Sequence, residues 1–496
     1  MTPAHPSAHF WQTLASHGER PAITDGTRCL DYADLMLQVQ RRRAQLAGFG
    51  ARRVALALDN GIDWVLWDLA LLAEGLVCVP VPGFFSVAQQ RHVVDSAGVD
   101  TLIGEPAPWS QDAGFHPVAP SLSQRPVPIA PPVPAGTVKI TYTSGTTGLP
   151  KGVCLDAASM LAVAASLWHL VGASGARRHL AVLPLATLLE NVAGVYAPLL
   201  GGACTELRPM AEIGLQGASG LDLPRLLARL GESQPDSLIL LPQLLQALVA
   251  AAERGWAPPP SLRFIAVGGG HVAPSLLRRA AAARLPVFEG YGLSECASVV
   301  CLNAPGDNRI GSVGRPLPHA RVRVADDGEV LVRGACFLGY LGEASQGTDA
   351  SDWLATGDLG HFDEAGHLVL HGRKKHQFIT AYGRNVNPEW VETELTQQAP
   401  IAQAWLYGEA LPENLAVLVP RHAGVSDAEL AAAVAAVNGT LPDYARAHHW
   451  RRADQPFTPA NGLATSNGRL RREALRAHYA TALAALDPLS PIQDIA

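Results

Sequence analysis

Short apolar segments alternate with segments of helical period along the first hundred residues. Segments 54–58 and 77–81 have the length and composition of buried strands, and segment 64–73 between them has the spacing of a helix. A further helical pattern opens with residues 30–35 and is predicted to continue to residue 47. Because strands that alternate with helices form βαβ units, this pattern predicts a parallel sheet.

The remaining pattern extends this alternation and contains one proline-rich interruption. Segment 105–135 contains nine prolines and is predicted to be an extended connector without chemistry of its own. Beyond it the pattern predicts strands and helices in turn. The predicted strands are 138–142, 180–184, 263–267, 287–289 and 366–370, and the predicted helices are 157–171 and 238–251.

A loop rich in hydroxyls and glycines follows the predicted strand 138–142. Its glycines let backbone N–H groups face an anion, its hydroxyls add donors, and Lys151 adds a positive charge. The loop is not a Walker loop, because it lacks Gly-Lys-Ser/Thr and because Pro150 prevents a helix from starting before the lysine. We therefore predict a phosphate site. Its candidate residues are Thr143, Ser144, Gly145, Thr146, Thr147, Gly148 and Lys151.

Composition narrows the classes of protein. A chain of 496 residues is too long for one hydrophobic core and predicts two or more domains. A net charge of −6 without a long basic run argues against nucleic-acid binding. The sequence shows neither a signal-peptide pattern nor an apolar run of about 20 residues, which predicts a cytoplasmic protein without a membrane span. The seven scattered cysteines are predicted to be small buried hydrophobic residues.

The segment 143–152 matches the phosphate loop of the adenylate-forming enzymes, which include acyl-CoA synthetases, luciferases and peptide-synthetase adenylation domains. Ten positions in fixed order make this signal specific. Further segments resemble later motifs of the superfamily in the same order, and their form is most similar to the long-chain acyl-CoA synthetase branch. They are 183–190, 268–271, 290–295, 356–358, 373–376, 383–389 and 461–472.

The resemblance implies an α/β fold with two domains. A large N-terminal domain, 1–372, is expected to contain sheets in an αβαβα arrangement and to bind ATP and the acid. It is also expected to include a small β-barrel subdomain, assigned to 328–334 and Gly339-Tyr340. A hinge at 373–376 would lead to a small, mobile α+β domain, 377–496.

The resemblance also implies roles for individual residues. Glu295 offers a carboxylate oxygen suited to Mg²⁺, Asp358 would accept hydrogen bonds from the ribose hydroxyls, and Arg373 would contact ribose and phosphate. Lys151, Glu295, Arg469 and Thr187 are the candidate catalytic residues. The other residues expected to contact the nucleotide are Gly269, Gly270, His271, Tyr291, Gly292 and Ser294.

Three positions depart from the family pattern. Thr187 replaces a histidine of the long-chain branch, in a segment that lines the acyl site of relatives. His271 replaces a proline, and a histidine on a surface loop is the simpler interpretation. Arg469 stands where the adenylating lysine is expected; it keeps the charge but has a larger, planar head group. We expect arginine at position 469 to change the rate of the adenylation step more than it changes which reaction takes place.

The implied reaction is ATP-dependent activation of a carboxylic acid, with release of pyrophosphate and transfer of the acyl group to a thiol. The thiol is coenzyme A or the phosphopantetheine arm of an acyl carrier protein, and the acid is predicted to be a fatty acid. An aryl acid resembling hydroxybenzoate is the alternative. A nucleotide-binding relative with impaired catalysis and an NTPase or phosphotransferase are the rival classes.

Overall fold

The chain separates into two compact units. The computed structural model describes residues 6–484 except 106, 144–149, 218–219, 344–351 and 466–467. The first unit comprises Met1–Gly269, Ala280–Arg323 and Leu331–Leu354, and the second comprises Gly270–Arg279, Val324–Val330 and Ala355–Ala496.

Two large sheets form the first unit. Parallel pairs make up the middle of each sheet, and antiparallel strands lie at the edges. The nine-stranded sheet has the order Arg315–Pro316, Ser298–Leu302, Val287–Leu293, Phe264–Val267, Ser237–Leu240, Arg178–Ala181, Cys204–Leu207, Pro21–Thr24 and Cys29–Asp31. The eight-stranded sheet has the order Gly339–Tyr340, Lys151–Leu155, Lys139–Thr143, Val77–Pro80, Arg53–Ala57, Thr101–Gly104, Leu122–Gln124 and His116–Ala119.

One hydrophobic core joins the faces of these two sheets. It includes Leu56 and Val153 of the eight-stranded sheet together with Phe264 and Phe288 of the nine-stranded sheet. Ten of the 13 residues of the helix Ile62–Glu74 are buried, so this helix is enclosed on almost every side. The other helices of this unit are Pro6–Ser16, Tyr32–Phe49, Val87–Ser96, Pro108–Asp112, Ala157–Ala173, Ala197–Leu200, Met210–Ile213, Leu223–Ser233 and Pro242–Glu253, with a π-helix at Glu190–Tyr196.

The second unit has a three-stranded sheet and its own cores. The strand Asn414–Pro420 lies between Ile401–Tyr407, which is antiparallel to it, and Ala447–Arg452, which is parallel. A hairpin of Leu354–Phe362 and Leu368–Arg373 precedes this sheet in the chain. The helices of this region are Pro388–Thr396, Asp427–Asn438, Arg472–His478 and Ala480–Ala484, and short strands pair at Phe378–Ile379 and Asn385–Val386.

Some further elements lie near the unit boundaries. They are the helix Pro274–Ala282 and the strands Ala320–Val324 and Glu329–Gly334. None of the described helices is both long enough and apolar enough to cross a membrane.

Several predicted elements are confirmed with small changes of boundary. The strands at 54–58, 77–81 and 138–142 and the helix at 157–171 appear at Arg53–Ala57, Val77–Pro80, Lys139–Thr143 and Ala157–Ala173. The alternation of βαβ units therefore gives the parallel sheets that the pattern predicted.

Four predictions of local structure are wrong. The connector 105–135 contains a short helix and two strands, because Leu122–Gln124 pairs with Thr101–Gly104 across the sheet. The predicted helix 238–251 begins as a buried strand and becomes helical at Pro242. Gly339–Tyr340 pairs with Lys151–Leu155 in the eight-stranded sheet and not in a separate barrel. Cys29 is exposed, and Cys204 and Cys336 are half-buried, so burial of all seven cysteines is also wrong.

Candidate active site

The predicted phosphate segment begins and ends on adjacent antiparallel strands. Thr143 closes the strand Lys139–Thr143 and lies opposite Lys151, the first residue of the next strand. Residues 144–149, which include the predicted Ser144, Gly145, Thr146, Thr147 and Gly148, lie outside the described residues. The pairing therefore holds the two ends of the segment next to each other, at the same end of the two strands.

Lys151 and Glu295 are brought together through Tyr340. The Lys151 Nζ lies 5.3 Å from the centre of the Tyr340 ring, within the range of a cation–π contact. The Tyr340 hydroxyl donates to Glu295 Oε1 at 2.8 Å. Tyr340 is held in place because Gly339–Tyr340 pairs with the strand that Lys151 begins. The structure thus joins two predicted catalytic residues that are 144 positions apart in the sequence.

Lys151 also has an acidic neighbour at the surface. Its Nζ lies 3.8 Å from Glu343 Oε1, and both side chains are more than half exposed, at 57% and 61%. Exposed pairs of this length are worth about 0–1 kcal/mol. The lysine is therefore only weakly held and remains accessible to an anionic ligand.

The segment that contains Glu295 approaches its neighbouring strand closely. The strand Val287–Leu293 extends further than predicted and includes Tyr291 and Gly292, and Ser294 then starts a 3₁₀ turn with Glu295. A Cβ atom on Gly292 would lie 1.7 Å from the Ser298 carbonyl oxygen, so only glycine fits there. Tyr291 is buried and Glu295 is half-buried.

Unusual backbone angles follow directly after this turn. Ala297 has φ +53° and Ser298 has φ +117°, and residues other than glycine seldom adopt positive φ angles. Strained backbone of this kind concentrates at functional sites. The Glu295 carbonyl oxygen accepts a hydrogen bond from the Phe337 N–H at 2.7 Å, which ties the turn to the segment before Tyr340.

The predicted adenine segment follows the strand Phe264–Val267. Gly269 is exposed and has φ +79°, a conformation that favours glycine. Gly270 and His271 belong to the second unit. His271 is half-buried rather than on the surface, and burial lowers the pKa of its imidazole. Its Nε2 is buried without a hydrogen-bond partner among the described residues, so the surface interpretation is wrong.

The predicted acyl-site segment ends in a π-helix. The Thr187 hydroxyl donates to the Pro184 carbonyl oxygen at 2.6 Å, so it stabilises the turn before the helix. Glu190 is fully buried, lies 3.0 Å from His179 Nε2 and accepts the Leu183 N–H at 3.0 Å. Burial raises the pKa of the Glu190 carboxyl, and the contact with His179 lowers it. π-Helical turns are rare and are frequent at functional sites.

A buried polar cluster that sequence reasoning missed joins this π-helix to the phosphate-segment strand. The Lys139 Nζ lies 2.8 Å from Asp68 Oδ1 and also donates to the Asn191 side chain and, at 3.0 Å, to the Tyr196 hydroxyl. Asp68 Oδ2 accepts from Asn191 at 2.9 Å and from Tyr196 at 2.6 Å. Lys139 and Asp68 are 2% and 1% exposed. A lysine inside an apolar strand was the available signal.

In the second unit, Asp358 and Arg373 form an ion pair across the hairpin. They are opposite each other in the strand register, and Arg373 Nε lies 2.8 Å from Asp358 Oδ1. Arg373 Nη1 also donates to the Thr356 carbonyl oxygen at 3.0 Å. Asp358 is 6% exposed, and its N–H donates to the Thr356 hydroxyl at 3.1 Å. The ion pair thus holds the two predicted ribose residues next to each other.

Arg469 belongs to the same electrostatic neighbourhood. The pKa of Lys375 is lowered first by burial and then by the charges of Arg373 and Arg469, against the opposing charges of Glu389 and Asp358. Arg469 itself is exposed, and its N–H donates to the Thr465 hydroxyl at 3.0 Å. The structure therefore collects the predicted hinge lysine, Arg469 and the ribose pair in one region.

Partly buried ion pairs support that region. His376 Nδ1 donates to Glu389 Oε1 at 2.6 Å. Burial would raise the pKa of Glu389, but His376 and the charge of Arg472 lower it to about 2. Arg472 makes a bidentate contact with Glu392, with distances of 2.9 and 2.6 Å. Bidentate contacts of this kind fix the geometry of the two side chains.

The donor set fits a magnesium ion with substrate phosphates better than a metal cage made of protein. Among the described residues, no group of three or more His, Cys, Asp and Glu side chains is arranged to hold a metal. Mg²⁺ in nucleotide sites is typically bound by one or two carboxylates, waters and phosphate oxygens. The half-buried Glu295 carboxylate, beside the exposed end of Lys151, suits that role.

This chain is similar to enzymes of one known family. Residues 10–341 match the model of the AMP-binding enzyme family. A long-chain-fatty-acid–CoA ligase, FadD15 of Mycobacterium bovis, is 28% identical over 444 residues, which cover 73% of this chain and 71% of the relative. A 2-succinylbenzoate–CoA ligase of Bacillus licheniformis is 26% identical over 415 residues, which cover 79% and 84%.

Solved structures show the same fold. The O-succinylbenzoate coenzyme A synthetase of Bacillus subtilis, in complex with AMP, has a TM-score of 0.74 and 23% identity, and the alignment covers 94% of this chain and 98% of that chain. An anthranilate CoA ligase in complex with anthranoyl-AMP has a TM-score of 0.77 and 18% identity, with 95% and 98% covered. By its family match, its relatives and its fold, this chain belongs to the AMP-binding enzyme family, the adenylate-forming superfamily that its motifs indicated.

Proposed function

We propose that this enzyme, an AMP-forming acid–CoA ligase by family, activates a fatty acid as its acyl-adenylate and transfers the acyl group to coenzyme A. One observation supports the location of the chemistry above the others. Lys151 and Glu295, from separate motifs, meet at the Tyr340 side chain. The two residues have the charges needed to bind a triphosphate and its counter-ion at one place.

The first half-reaction needs electrostatics more than a covalent nucleophile. A carboxylate oxygen attacks the α-phosphate of ATP, forming the acyl-adenylate and releasing pyrophosphate. Lys151 and the hydroxyls of the 143–148 segment would bind the departing phosphates. Glu295 would supply a carboxylate ligand for Mg²⁺, which when bound offsets the phosphate charge. Tyr340 would orient that carboxylate through its hydrogen bond.

Asp358 and Arg373 are the proposed ribose site. Their ion pair holds the Asp358 carboxylate in one orientation before the nucleotide binds. The entropy cost of ordering this side chain on binding is therefore small. Arg373 would contact both ribose and phosphate. Gly269, Gly270, His271, Tyr291, Gly292 and Ser294 remain the proposed contacts of the adenine and the α-phosphate.

Arg469 is the proposed cation for adenylate formation. Guanidinium binds carboxylate and phosphate bidentately, so it can replace the family lysine at this step. We further propose that residues 373–376 act as the hinge between domains 1–372 and 377–496. Rotation there would exchange Arg469 for the loop 383–389, and a thiol could then attack the adenylate.

The acid is proposed to be a fatty acid because the relative FadD15 is named as a long-chain-fatty-acid ligase. An aryl acid is the second candidate, since a 2-succinylbenzoate–CoA ligase matches 79% of this chain and FadD15 matches 73%. Thr187 would contribute to the acyl site, where a small side chain leaves room for either class.

The test is pyrophosphate release with a panel of acids. Purified enzyme, ATP and Mg²⁺ are supplied with fatty acids of increasing chain length and with benzoate derivatives, first with coenzyme A and then with a phosphopantetheinylated carrier protein. Fatty acids with coenzyme A are expected to give the highest kcat/KM, and AMP is the expected nucleotide product. Release of ADP would support the NTPase alternative. Nucleotide binding without pyrophosphate from any acid would support the impaired relative.

A further inference from the structure

Two cysteine side chains meet at the Glu295 turn. The Sγ atoms of Cys296 and Cys336 lie 3.9 Å apart. Cys296 follows Glu295 directly and is buried, whereas Cys336 is half-buried. The two residues come from segments 40 positions apart in the chain. Their proximity is therefore a product of the fold and not of local sequence.

Backbone contacts fix the segments that hold these thiols. The Phe337 N–H donates to the Glu295 carbonyl oxygen at 2.7 Å, so the residues next to each thiol are bonded to each other. The Ser159 hydroxyl donates to the Cys336 carbonyl oxygen at 3.2 Å. The same segment continues to Tyr340, which donates to the Glu295 carboxylate. The segments that hold the two sulfur atoms are therefore bonded directly to the Glu295 turn.

We propose that Cys296 and Cys336 form a disulfide on exposure to peroxide, and that this modification switches off adenylate formation. The half-buried Cys336 thiol reacts first: it reduces hydrogen peroxide to water and becomes a sulfenic acid. The Cys296 thiol then attacks that sulfur, the S–S bond forms, and a second water leaves. Two thiols and one peroxide thus give one disulfide and two waters.

Closing the bond pulls on the Glu295 turn, because Cys296 belongs to that turn. A disulfide has an S–S distance of about 2.05 Å, so the 3.9 Å separation must shorten by nearly half. Ala297 and Ser298 already have positive φ angles, so the residues after Cys296 have little freedom to absorb the movement. A displacement of about 1 Å at a catalytic group can cost about 10²-fold in rate. The loss of activity rests on the proposed role of Glu295, whereas the disulfide does not.

The chemistry of the pair is tested by mass spectrometry of the intact protein. After treatment with peroxide and removal of the excess, wild-type protein is expected to lose two hydrogens and two titratable thiols. Tryptic peptides 285–309 and 334–373 are expected to be joined, and fragmentation must place the link at Cys296 and not at Cys301, which shares the first peptide. Absence of this link overturns the proposal.

Activity provides the second measurement. In oxidised wild type the rate of pyrophosphate release is expected to fall at least tenfold, and dithiothreitol is expected to restore it. The variants Cys336→Ala and Cys336→Ser should retain activity after the same treatment, and Cys29→Ser, which removes an exposed thiol elsewhere, should respond as wild type. Equal inactivation of the Cys336 variants, or a complete disulfide with unchanged activity, overturns the switch. If no acid releases pyrophosphate even from reduced enzyme, the proposed function has failed, and the joined peptides still decide the disulfide.

Discussion

Replacing Lys139 by methionine removes the cation from the buried cluster of Asp68, Lys139, Asn191 and Tyr196. Methionine has nearly the volume of the lysine stem, so the change leaves little empty space. The Asp68 carboxylate, however, loses its cationic partner at 2.8 Å while it stays 1% exposed. Breaking a buried pair from one side typically costs about 3–5 kcal/mol, because the remaining charge is uncompensated. We expect the free energy of unfolding to fall by about that amount.

A second substitution separates charge from packing. In Lys139→Met with Asp68→Asn the carboxylate is gone, and the asparagine can still bond to Asn191 and Tyr196. Replacing both members of a buried pair is often nearly neutral, so the double variant should recover most of the loss. As the matched control, Arg43→Met removes the surface pair with Glu74, whose side chains are 43% and 31% exposed, and should cost at most about 1 kcal/mol.

The assay is urea unfolding followed by tryptophan fluorescence at pH 7. Trp64 is 1% exposed and lies beside the cluster, 6.0 Å from the Lys139 Nζ to its ring centre. The expected order of midpoints is wild type, then Arg43→Met and the double variant, then Lys139→Met well below them. A Lys139→Met midpoint equal to that of wild type, or a double variant as unstable as the single one, would refute the reasoning.

The remaining predictions concern the site. Glu295→Ala and Lys151→Ala are expected to abolish acid-dependent ATP–pyrophosphate exchange while the circular dichroism spectrum stays unchanged, and unchanged exchange would remove both residues from the site. Tyr340→Phe removes one hydrogen bond to Glu295, worth about 1.5–3 kcal/mol when one partner is charged, and should lower exchange about tenfold or more. Arg469→Ala should slow adenylate formation more than thiolysis of supplied adenylate, measured by single-turnover kinetics; equal losses in both steps would contradict the proposed role. Since the pKa of Glu389 is lowered to about 2 from 4.5 on folding, its contribution to stability is present above pH 4.5 and is lost as the pH falls toward 2. Glu389→Gln should therefore flatten the dependence of thermal stability on pH in that range, and a curve parallel to that of wild type would show that the carboxylate is not responsible.

The family and the parallel sheets could be predicted from the amino-acid sequence alone, and so could the candidate residues of the contiguous motifs. Motifs such as 143–152 and 290–295 are contiguous in the chain, so their chemistry can be predicted without knowledge of the fold. Strands such as Arg53–Ala57 were also predictable, because an apolar run bounded by helical patterns depends on local spacing. The predicted connector failed for the opposite reason: Leu122–Gln124 is a strand because Thr101–Gly104 lies beside it.

Contacts between residues that are distant in the sequence could not be predicted in this way and follow from the tertiary fold. Tyr340 joins Lys151 to Glu295 because a two-residue strand pairs with the edge of the eight-stranded sheet. Lys139 is buried with Asp68, and Cys296 lies against Cys336, through packing between segments 71 and 40 positions apart. Contacts at such separations arise from the way sheets and helices pack together, and no periodicity or local motif encodes them.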